Sequence, residues 1–338
     1  MSRLSGVVRM SHGAGGRDMV ELIERVFLPA LANPYLNGGE DYAVLNLGAG
    51  RLAVSTDSYV VSPRFFPGGD IGSLAVNGTI NDVAVSGAIP VALSVGLIIE
   101  EGLPMAELGR VVESMAAAAR RAGVPIITGD TKVVEQGKGD GVFINTTGFG
   151  QVRPEVHLSA RSVQAGDAVL VSGYLGDHGV AVMAQRSGFA FETTLHSDCA
   201  ALHGLIADVL AAVPQVRVLR DPTRGGLAAT LNEIARASSV GFRLRETALP
   251  LRPEVLGACE LLGLDPLHVA NEGKVVVIVP AEQADAALAA LRGHPLGHAA
   301  ALIGTAQTDP HHLVELETGF GSRRIVNWMA GEPLPRIC

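Results

Sequence analysis

Apolar runs that end at glycine or proline alternate along this chain with long segments of helical periodicity. Such alternation is the pattern of an α/β protein, in which strands and helices succeed one another. The predicted strands span 42–47, 52–56, 91–99, 125–128, 142–148, 168–172, 216–219, 240–244 and 274–279. The predicted helices span 18–31, 73–86, 105–122, 177–186, 200–212, 227–237 and 282–291.

The length and the polar connection at 151–166 divide the chain. A chain of 338 residues is expected to form about two domains of ordinary size. The segment 151–166 contains Pro154 and interrupts the alternation, so the boundary is placed there. We predict an N-terminal domain over 1–152, a C-terminal domain over 153–325 and a tail over 326–338.

Composition excludes several classes of protein. With 48% hydrophobic and 18% charged residues, the chain is far from the composition of disordered proteins. The net charge is −8 and no basic run is present, so a nucleic-acid partner is not expected. The longest uncharged stretch, 83–99, contains Gly87, Pro90 and Gly96, and it is too interrupted to span a membrane. An apolar leader is missing at the N-terminus, which predicts a cytoplasmic protein without a membrane role.

Three aspartates follow apolar strands directly and are the strongest candidates for a site. Asp57 follows LAVST, Asp130 follows PIITG, and Asp221 follows VRVLR. Residues at strand ends in α/β folds converge on a crevice, and carboxylates there suit Mg²⁺ together with phosphates. Any one of these aspartates is more often a cap of a turn or helix. The three together favour a site.

Glycine-rich turns accompany these aspartates at HGAGG (12–16), PGGDIG (67–72) and PTRGG (222–226). Each precedes a helical pattern, so its backbone N–H groups are available to bind an anion at a helix N-terminus. A plain turn is the alternative. The chain contains neither GxxxxGK[ST] nor GxGxxG, so any phosphate is bound by another design.

The predicted helix 73–86 carries a polar stripe in an otherwise apolar element. Ser73, Asn77 and Asn81 recur at helical spacing, and Asp82 is adjacent to the last of them. The stripe either bonds to neighbouring elements or lines a nucleotide and metal cleft, and the sequence leaves both possibilities open. The segment 81–84 has a weak echo at 232–235, where Asn-Asp-Val-Ala becomes Asn-Glu-Ile-Ala.

Lys132 and Glu272 are further candidates, in TGDTKVV and ANEGKVVVIV respectively. Residues of these types most often form surface salt bridges. A glutamate at the mouth of a strand is also well placed to act as a general base.

The three cysteines have no CxxC spacing, so neither a disulfide framework nor a structural zinc site is expected. Cys199 and Cys259 fall in helical patterns and are assigned to packing. Cys338 is the last residue, in PLPRIC, where prolines stiffen an extended arm. Burial is not expected at a chain end, so we expect this thiol to be free to reach a cleft and carry a group.

Several motifs together resemble the HypE family of hydrogenase maturation factors. They are SHGAGG, EDYAVL, STDSYVV, GGDIGSLAVNGTINDVAVSGA, TGDTKVV, GDHG, RDPTRGGLA, NEGK and the terminal PRIC, and they extend from residue 11 to residue 338. Most are shared, in looser form, with the PurM-like superfamily that includes aminoimidazole ribonucleotide (AIR) synthetase. The terminal PRIC is specific to the HypE branch.

The resemblance implies a two-domain PurM-like α/β protein that forms a homodimer through its N-terminal sheets and binds ATP. Family members receive a carbamoyl group from HypF on the terminal cysteine and dehydrate it with ATP to a thiocyanate. The cyano group passes to iron on the HypC–HypD complex, for NiFe hydrogenase. The superfamily's metal-binding carboxylates match Asp41, Asp57, Asp82 and Asp221.

Roles for the remaining residues follow from that chemistry. Cys338 is the predicted carrier, Glu272 the general base and Lys132 a residue near the phosphates, with His12 as an alternative base. The predicted ATP and phosphate contacts are His12, Gly13, Gly15, Gly16, Asn77, Asp130, Thr223, Arg224, Gly225 and Gly226. Two other functions stay open: a PurM-like synthetase or kinase that does not use Cys338, and an ATP-regulated scaffold in which PLPRIC is a docking peptide.

Overall fold

A computed structural model describes residues 16–22, 24, 43–46, 48, 50–186, 194–328 and 336–338. Its helices are α1 (Arg17–Leu22), α2 (Ile71–Val85), α3 (Met105–Ala122), α4 (Asp177–Arg186), α5 (His203–Ala212), α6 (Gly226–Ser238), α7 (Pro253–Leu262) and α8 (Ala284–Gly293). Its strands are β1 (Ala43–Asn46), β2 (Arg51–Tyr59), β3 (Phe65–Phe66), β4 (Gly69–Asp70), β5 (Ala88–Glu100), β6 (Ile126–Val134), β7 (Val142–Val152), β8 (Ala168–Val171), β9 (Val218–Arg220), β10 (Gly241–Arg245), β11 (Val276–Val279), β12 (Ala301–Gln307), β13 (Val314–Glu317) and β14 (Arg323–Ile325).

The N-terminal sheet has the strand order β1-β2-β7-β5-β6, and α2 packs across one face of it. Helix α2 begins at a capping box, in which the Asp70 carboxylate accepts hydrogen bonds from the backbone N–H groups of Gly72 and Ser73. Almost every residue of α2 is buried, because α3 covers its other side. The predominantly apolar composition of α2 fits this central position, and its buried polar side chains require hydrogen-bond partners.

The C-terminal sheet has the order β14-β13-β10-β12-β8-β11-β9. Its central strands β8 and β11 are buried throughout, and alternate side chains enter two different cores. Val169 and Ile278 pack in the core with α6, whereas Leu170 and Val277 pack in the core with α5 and α8. The continuous apolar runs in these strands follow from helices covering both faces.

Most of the predicted elements are present, with differences at their ends. The sequence patterns missed the short strands β3 and β4, helix α7 and strands β12 to β14, and α5 begins at His203 rather than 200. Cys199 lies in a segment without regular secondary structure and not in a helix, whereas Cys259 is buried in α7 as expected. Residues 301–307 contain Gly304 and small side chains, so their period-2 signal is weak.

Asn81 on α2 joins the two domains. Its side-chain oxygen accepts from the backbone N–H of Leu202 at 2.8 Å, and its amide donates to the carbonyls of Ala200 at 3.0 Å and Glu272 at 3.3 Å. Asn77 donates to the Cys199 sulfur at 3.4 Å. Asn77 and Asn81 of the polar stripe therefore bond mainly to the segment before α5. These contacts favour the interpretation that the stripe serves packing between elements.

None of the helices among the described residues is both long enough and apolar enough to cross a membrane.

Candidate active site

A polar cleft of about 250 Å³ lies between the two domains. The N-terminal domain contributes Thr56 and Asp57 from β2 and Asp82 from α2. The C-terminal domain lines the other side with Arg220, Asp221, Thr223, Arg224, Ala229, Thr230 and Glu233. Two of the three aspartates predicted at strand ends, Asp57 and Asp221, thus share one cleft, although Asp57 lies within β2 and only Asp221 directly follows a strand.

The acidic side chains of the cleft are held by short-range contacts. Asp57 Oδ1 accepts from the backbone N–H of Ser58 at 2.7 Å and lies 3.8 Å from Arg224 Nη2. Asp82 Oδ2 accepts from the Ser55 hydroxyl at 2.8 Å. Asp82 and Glu233 are the acidic residues of the two echoing segments, and they face the same cleft from opposite domains.

The donor set suits a metal ion that is shared with a phosphate ligand. Within the described ranges, no group of three His, Cys, Asp or Glu side chains is arranged to hold a metal by itself. Asp41, the fourth predicted ligand, lies outside the described residues. Protein sites for Mg²⁺ commonly supply one or two carboxylates and leave the remaining positions to water and phosphates. Asp57, Asp82 and Asp221 meet that requirement.

The PTRGG turn places the N-terminus of α6 at the cleft. Gly225 and Gly226 have φ angles of +76° and +61°, which favour glycine. A Cβ on Gly226 would lie 2.6 Å from the Leu267 carbonyl oxygen, so close packing also requires glycine there. Thr223 and Arg224 line the cleft directly before this helix end, where backbone N–H groups and the helix dipole favour an anion.

The end of the chain is docked rather than exposed. Cys338 is only 6% exposed, in contrast to the expectation of a free arm. Residues 336–338 run antiparallel to residues 60–62: the N–H of Val60 donates to the Cys338 carbonyl at 3.2 Å, and the N–H of Ser62 donates to the Arg336 carbonyl at 3.1 Å. Backbone pairing and the burial of Ile337 offset the entropy of ordering a chain end.

Docking brings the Cys338 thiol to Glu272, the predicted base. The thiol lies near the buried Glu272 carboxyl group, whose Oε1 has no hydrogen-bond partner among the described residues, and burial raises the pKa of the thiol above its ordinary value. The charge of Arg224 opposes that rise in pKa without cancelling it. The docked cysteine is therefore a neutral thiol at physiological pH, and Arg224 extends from it towards Asp57.

Glu272 is 3% exposed and sits among other carboxyl groups. Burial raises its pKa well above the ordinary value, and the nearby charges of Asp221, Asp198 and Asp57 add to the rise. Its backbone is fixed on both sides, because its N–H donates to Asp198 Oδ1 at 3.0 Å and its carbonyl accepts from Asn81. Lys274 lies 3.0 Å from Asp198 Oδ2, which compensates that buried carboxylate.

The raised pKa of Glu272 predicts a pH-dependent stability. In the unfolded chain Glu272 loses its proton near its ordinary pKa, whereas the folded chain keeps the proton to a higher pH. Between these two pKa values unfolding releases a proton, so the free energy of unfolding falls as the pH rises. The slope is at most about 1.4 kcal/mol per pH unit. We expect Glu272→Gln to gain stability relative to wild type as pH rises through this window, measured by urea denaturation. The exposed Glu282→Gln is the control, and equal pH dependence of wild type and Glu272→Gln would contradict the assignment.

Several predicted residues lie elsewhere in the structure. Asp130 and Lys132 pair with each other at 2.6 Å on exposed β6. In the register of the sheet, Asp130 lies beside Gly96 of β5, and Gly96 lies beside Asn145 of β7. The Asn145 side chain donates to the Ser58 hydroxyl on the face of the sheet opposite α2. Asp130 is therefore on that face too. Asp57 aligns instead with Thr146, which contacts α2. Within one chain, therefore, Asp130 and Lys132 point away from the cleft.

The remaining predicted contacts divide between a second cavity and the N-terminal segment. Asn77 faces a cavity of about 190 Å³ that also contacts Cys199 and His203. Gly16 is buried before α1, where its carbonyl accepts from the N–H of Val20 at 3.2 Å. His12, Gly13 and Gly15 lie outside the described residues.

Sequence reasoning missed Thr56, Arg220, Thr230 and Glu233 as cleft residues. Thr56 and Arg220 each precede a strand-end aspartate that was predicted, and Glu233 is the acidic member of the echo. A rule that extended each motif by one residue would have found the first two.

Comparison with known proteins agrees with this two-domain arrangement. Residues 39–152 match the family model "AIR synthase related protein, N-terminal domain", and residues 164–317 match "AIR synthase related protein, C-terminal domain". The carbamoyl dehydratase HypE of Azotobacter vinelandii is 59% identical over 341 residues, covering 100% of both chains. The protein of the same name from Escherichia coli K12 is 51% identical and covers 98% of this chain and 99% of its own.

Solved structures give the same result in three dimensions. A HypE–HypF complex matches with a TM-score of 0.87 and 47% identity, covering 91% of this chain and 99% of the solved one. HypE in complex with ATP matches with a TM-score of 0.83 and 48% identity, covering 98% and 100%. The predicted two-domain PurM-like α/β fold is confirmed. Similarity of this extent over the whole length places the chain in the HypE family of carbamoyl dehydratases, enzymes of hydrogenase maturation.

Proposed function

We propose that this enzyme dehydrates an S-carbamoyl group on its own Cys338 to a thiocyanate, with ATP as the co-substrate. The observation that carries the proposal is the docked Cys338, whose thiol meets buried Glu272 beside Arg224 and the acidic cleft. The ATP complex of a HypE with 48% identity supports ATP as the co-substrate.

The chemistry requires phosphate because a thiocarbamate does not lose water readily at neutral pH. Its oxygen would have to leave as hydroxide, which is a poor leaving group. Transfer of the γ-phosphoryl group to that oxygen forms an O–P bond, breaks the bond to ADP and gives an oxygen that leaves as phosphate. The nitrogen loses its first N–H proton as this oxygen is phosphorylated, and loss of the second N–H proton with cleavage of the C–O bond then gives Cys338–S–C≡N and inorganic phosphate.

Each described residue has a role that its position supports. Glu272 accepts the proton from the carbamoyl nitrogen, since its carboxyl group lies near the sulfur that carries the group and has a buried oxygen without a hydrogen-bond partner among the described residues. A raised pKa makes its ionised form a stronger base. Arg224 and the N-terminus of α6 bind the phosphates. Lys132 remains a proposed phosphate contact only for an assembly in which another chain covers the exposed face of β6.

Because the docked thiol is neutral, uptake of the carbamoyl group and its later dehydration require different positions of the tail. A thiolate, not a thiol, is the nucleophile that takes up a carbamoyl group. Burial both raises the pKa of Cys338 and hides it from a donor protein, so loading requires the tail to leave this position. Dehydration has no need of a thiolate, because the sulfur is already bonded to carbon.

We assign HypF as the carbamoyl donor and HypC–HypD as the acceptor of the cyano group, for the iron of NiFe hydrogenase. The solved HypE–HypF complex supports the first partner. A reaction that starts from a free thiol also requires a reducing compartment, in agreement with the cytoplasm expected from the sequence.

We further propose a homodimer that pairs the N-terminal sheets. Its support is the edge strand β6, on which the apolar side chains of Ile127 and Val133 are 64% and 67% exposed. Long exposed edge strands with apolar side chains are normally covered by another chain. Lys132 and Asp130 lie on the same strand and would be covered with it.

Nucleotide binding should depend on a divalent cation. Mg²⁺, when bound, would neutralise charge on the transferred phosphoryl group, and Asp57, Asp82 and Asp221 are the residues that would hold it. Without Mg²⁺ the phosphates face these carboxylates directly, so we expect ATP affinity to fall at least about tenfold in chelator. Calorimetric titration checks this, and Asp82→Asn should reduce the difference. Equal affinity with and without Mg²⁺ would contradict the site.

Intact-mass measurement tests the proposed function as a whole. After incubation with HypF, carbamoyl phosphate and ATP, we expect the chain to gain about 43 Da as the carbamoyl form and then a net gain of about 25 Da as the cyano form. Fragmentation should place both changes on residue 338. Formation of the cyano product without a carbamoyl or cyano form of the chain would contradict a mechanism in which the enzyme modifies its own Cys338.

A further inference from the structure

His178 makes a buried contact with the docked tail. The side chain is fully buried at the start of α4, and its Nε2 lies 2.9 Å from the Ile337 carbonyl oxygen, one residue before Cys338. Its Nδ1 lies 2.8 Å from the Ser197 hydroxyl. The ring also packs edge-on against Phe66, with centroids 5.4 Å apart and planes at 88°.

These contacts fix the hydrogen-bonding roles of the ring. A carbonyl oxygen only accepts, so Nε2 carries the proton that binds Ile337. Nδ1 then accepts from the Ser197 hydroxyl, whose oxygen in turn accepts from the N–H of Cys199 at 3.1 Å. Burial lowers the pKa of His178, in agreement with this neutral tautomer.

The other ion pairs and hydrogen bonds that join side chains to Arg336 of the tail are less buried. Arg336 pairs with Asp140, and these side chains are 31% and 44% exposed. Arg186 donates to the Arg336 carbonyl from a partly buried position. Exposed ion pairs contribute little because water competes for them. His178 supplies the buried hydrogen bond, on the residue adjacent to the reacting cysteine.

We propose that His178 is a positioning residue, which holds the tail so that the group on Cys338 meets Glu272. The docking of the tail does not depend on the reaction, so only the effect of His178 on catalysis rests on the proposed function. Replacing the ring by one without a donor leaves the Ile337 carbonyl buried and unsatisfied. Opening the tail restores its contact with water, so the open fraction of the tail increases.

Alkylation of Cys338 measures that open fraction directly. Iodoacetamide reaches the thiol only when the tail opens, so the rate of modification follows the open population. In His178→Phe, which keeps the aromatic packing but loses the donor, we expect this rate to rise about tenfold. His178→Gln keeps a donor and an acceptor and should stay within about threefold of wild type. Cys259, buried in α7, is the internal reference, and exposed His298→Gln is the matched control.

The outcomes separate positioning from a general structural role. A selective rise at Cys338 in His178→Phe, with recovery in His178→Gln, supports the proposal. Equal rates in wild type and a folded His178→Phe overturn it, and so does an equal acceleration at Cys338 and Cys259. Should His178→Phe not fold, Ser197→Ala removes only the partner of Nδ1, and we expect about a threefold rise at Cys338; no rise there also overturns the proposal.

A kinetic measurement connects the contact with turnover. In His178→Phe, kcat for dehydration should fall several-fold while KM for ATP is unchanged, since His178 does not line the nucleotide cleft. Should Cys338 prove not to carry the substrate, the alkylation result would stand and the kinetic effect would be missing. The two failures are therefore distinguishable.

Discussion

In the Cys338→Ala variant we expect no detectable thiocyanate and no mass gain, with ATP binding retained. The expected loss is complete because the sulfur is the atom that carries the reacting group, and neither of the other described thiols lines the cleft. Half-buried Cys199 and buried Cys259 both have raised pKa values through desolvation, and the pKa of Cys259 is raised to about 11. Intact mass and ATP titration measure both parts of this prediction.

The matched control is Cys259→Ala, which removes a buried thiol that does not line the cleft and should leave product formation unchanged. Turnover of a free small molecule by Cys338→Ala would favour the PurM-like synthetase or kinase. Normal partner binding by Cys338→Ala, together with no change in the mass of the wild-type protein after incubation, would favour the ATP-regulated scaffold. Either result would contradict the carrier role of Cys338.

For Glu272→Gln we expect dehydration to fall about 10²- to 10⁴-fold, the usual contribution of a positioned general base. Glutamine has almost the same shape and can still donate to the sulfur, but it does not accept the nitrogen proton. ATP affinity should change little, because Glu272 does not line the nucleotide cleft. Single-turnover kinetics on carbamoylated protein measure the chemical step.

The pH profile adds a second check on the same residue. Glu272 accepts a proton only when it is ionised, so the wild-type rate should rise with pH through its raised pKa and then level off. The profile of Glu272→Gln should lack that rise. Undiminished dehydration in this variant would exclude Glu272 as the base, and Glu282→Gln controls for loss of a glutamate as such.

The cleft could be predicted from the sequence to a useful degree, and particular residues show the limits. The sequence predicts Asp57 and Asp221 at strand ends, and both line the cleft, although only Asp221 directly follows a strand and Asp57 lies within β2. Asp130 is predicted at a strand end as well, but it lies within β6, whose register places it on the opposite face of the sheet from α2. Sequence periodicity records that side chains alternate but not which face is the site.

The docked tail is the feature that local reasoning described incorrectly. A chain end with prolines predicts exposure, because nothing within PLPRIC itself buries the thiol. The partners that do bury it, residues 60–62, His178 and Glu272, are remote in sequence, and only the assembled fold brings them together. The strands after residue 300 were missed for a related reason, since their pairing partners and not their own patterns define them.

The most direct test of the account follows an oxygen atom. The chain is isolated with an ¹⁸O-labelled carbamoyl group on Cys338 and is then given ATP in unlabelled water. We predict that the inorganic phosphate formed carries the label and is about 2 Da heavier, as cyanated Cys338 appears at the same rate. Label released into water, with unlabelled phosphate, would contradict the claim that ATP converts this oxygen into a leaving group.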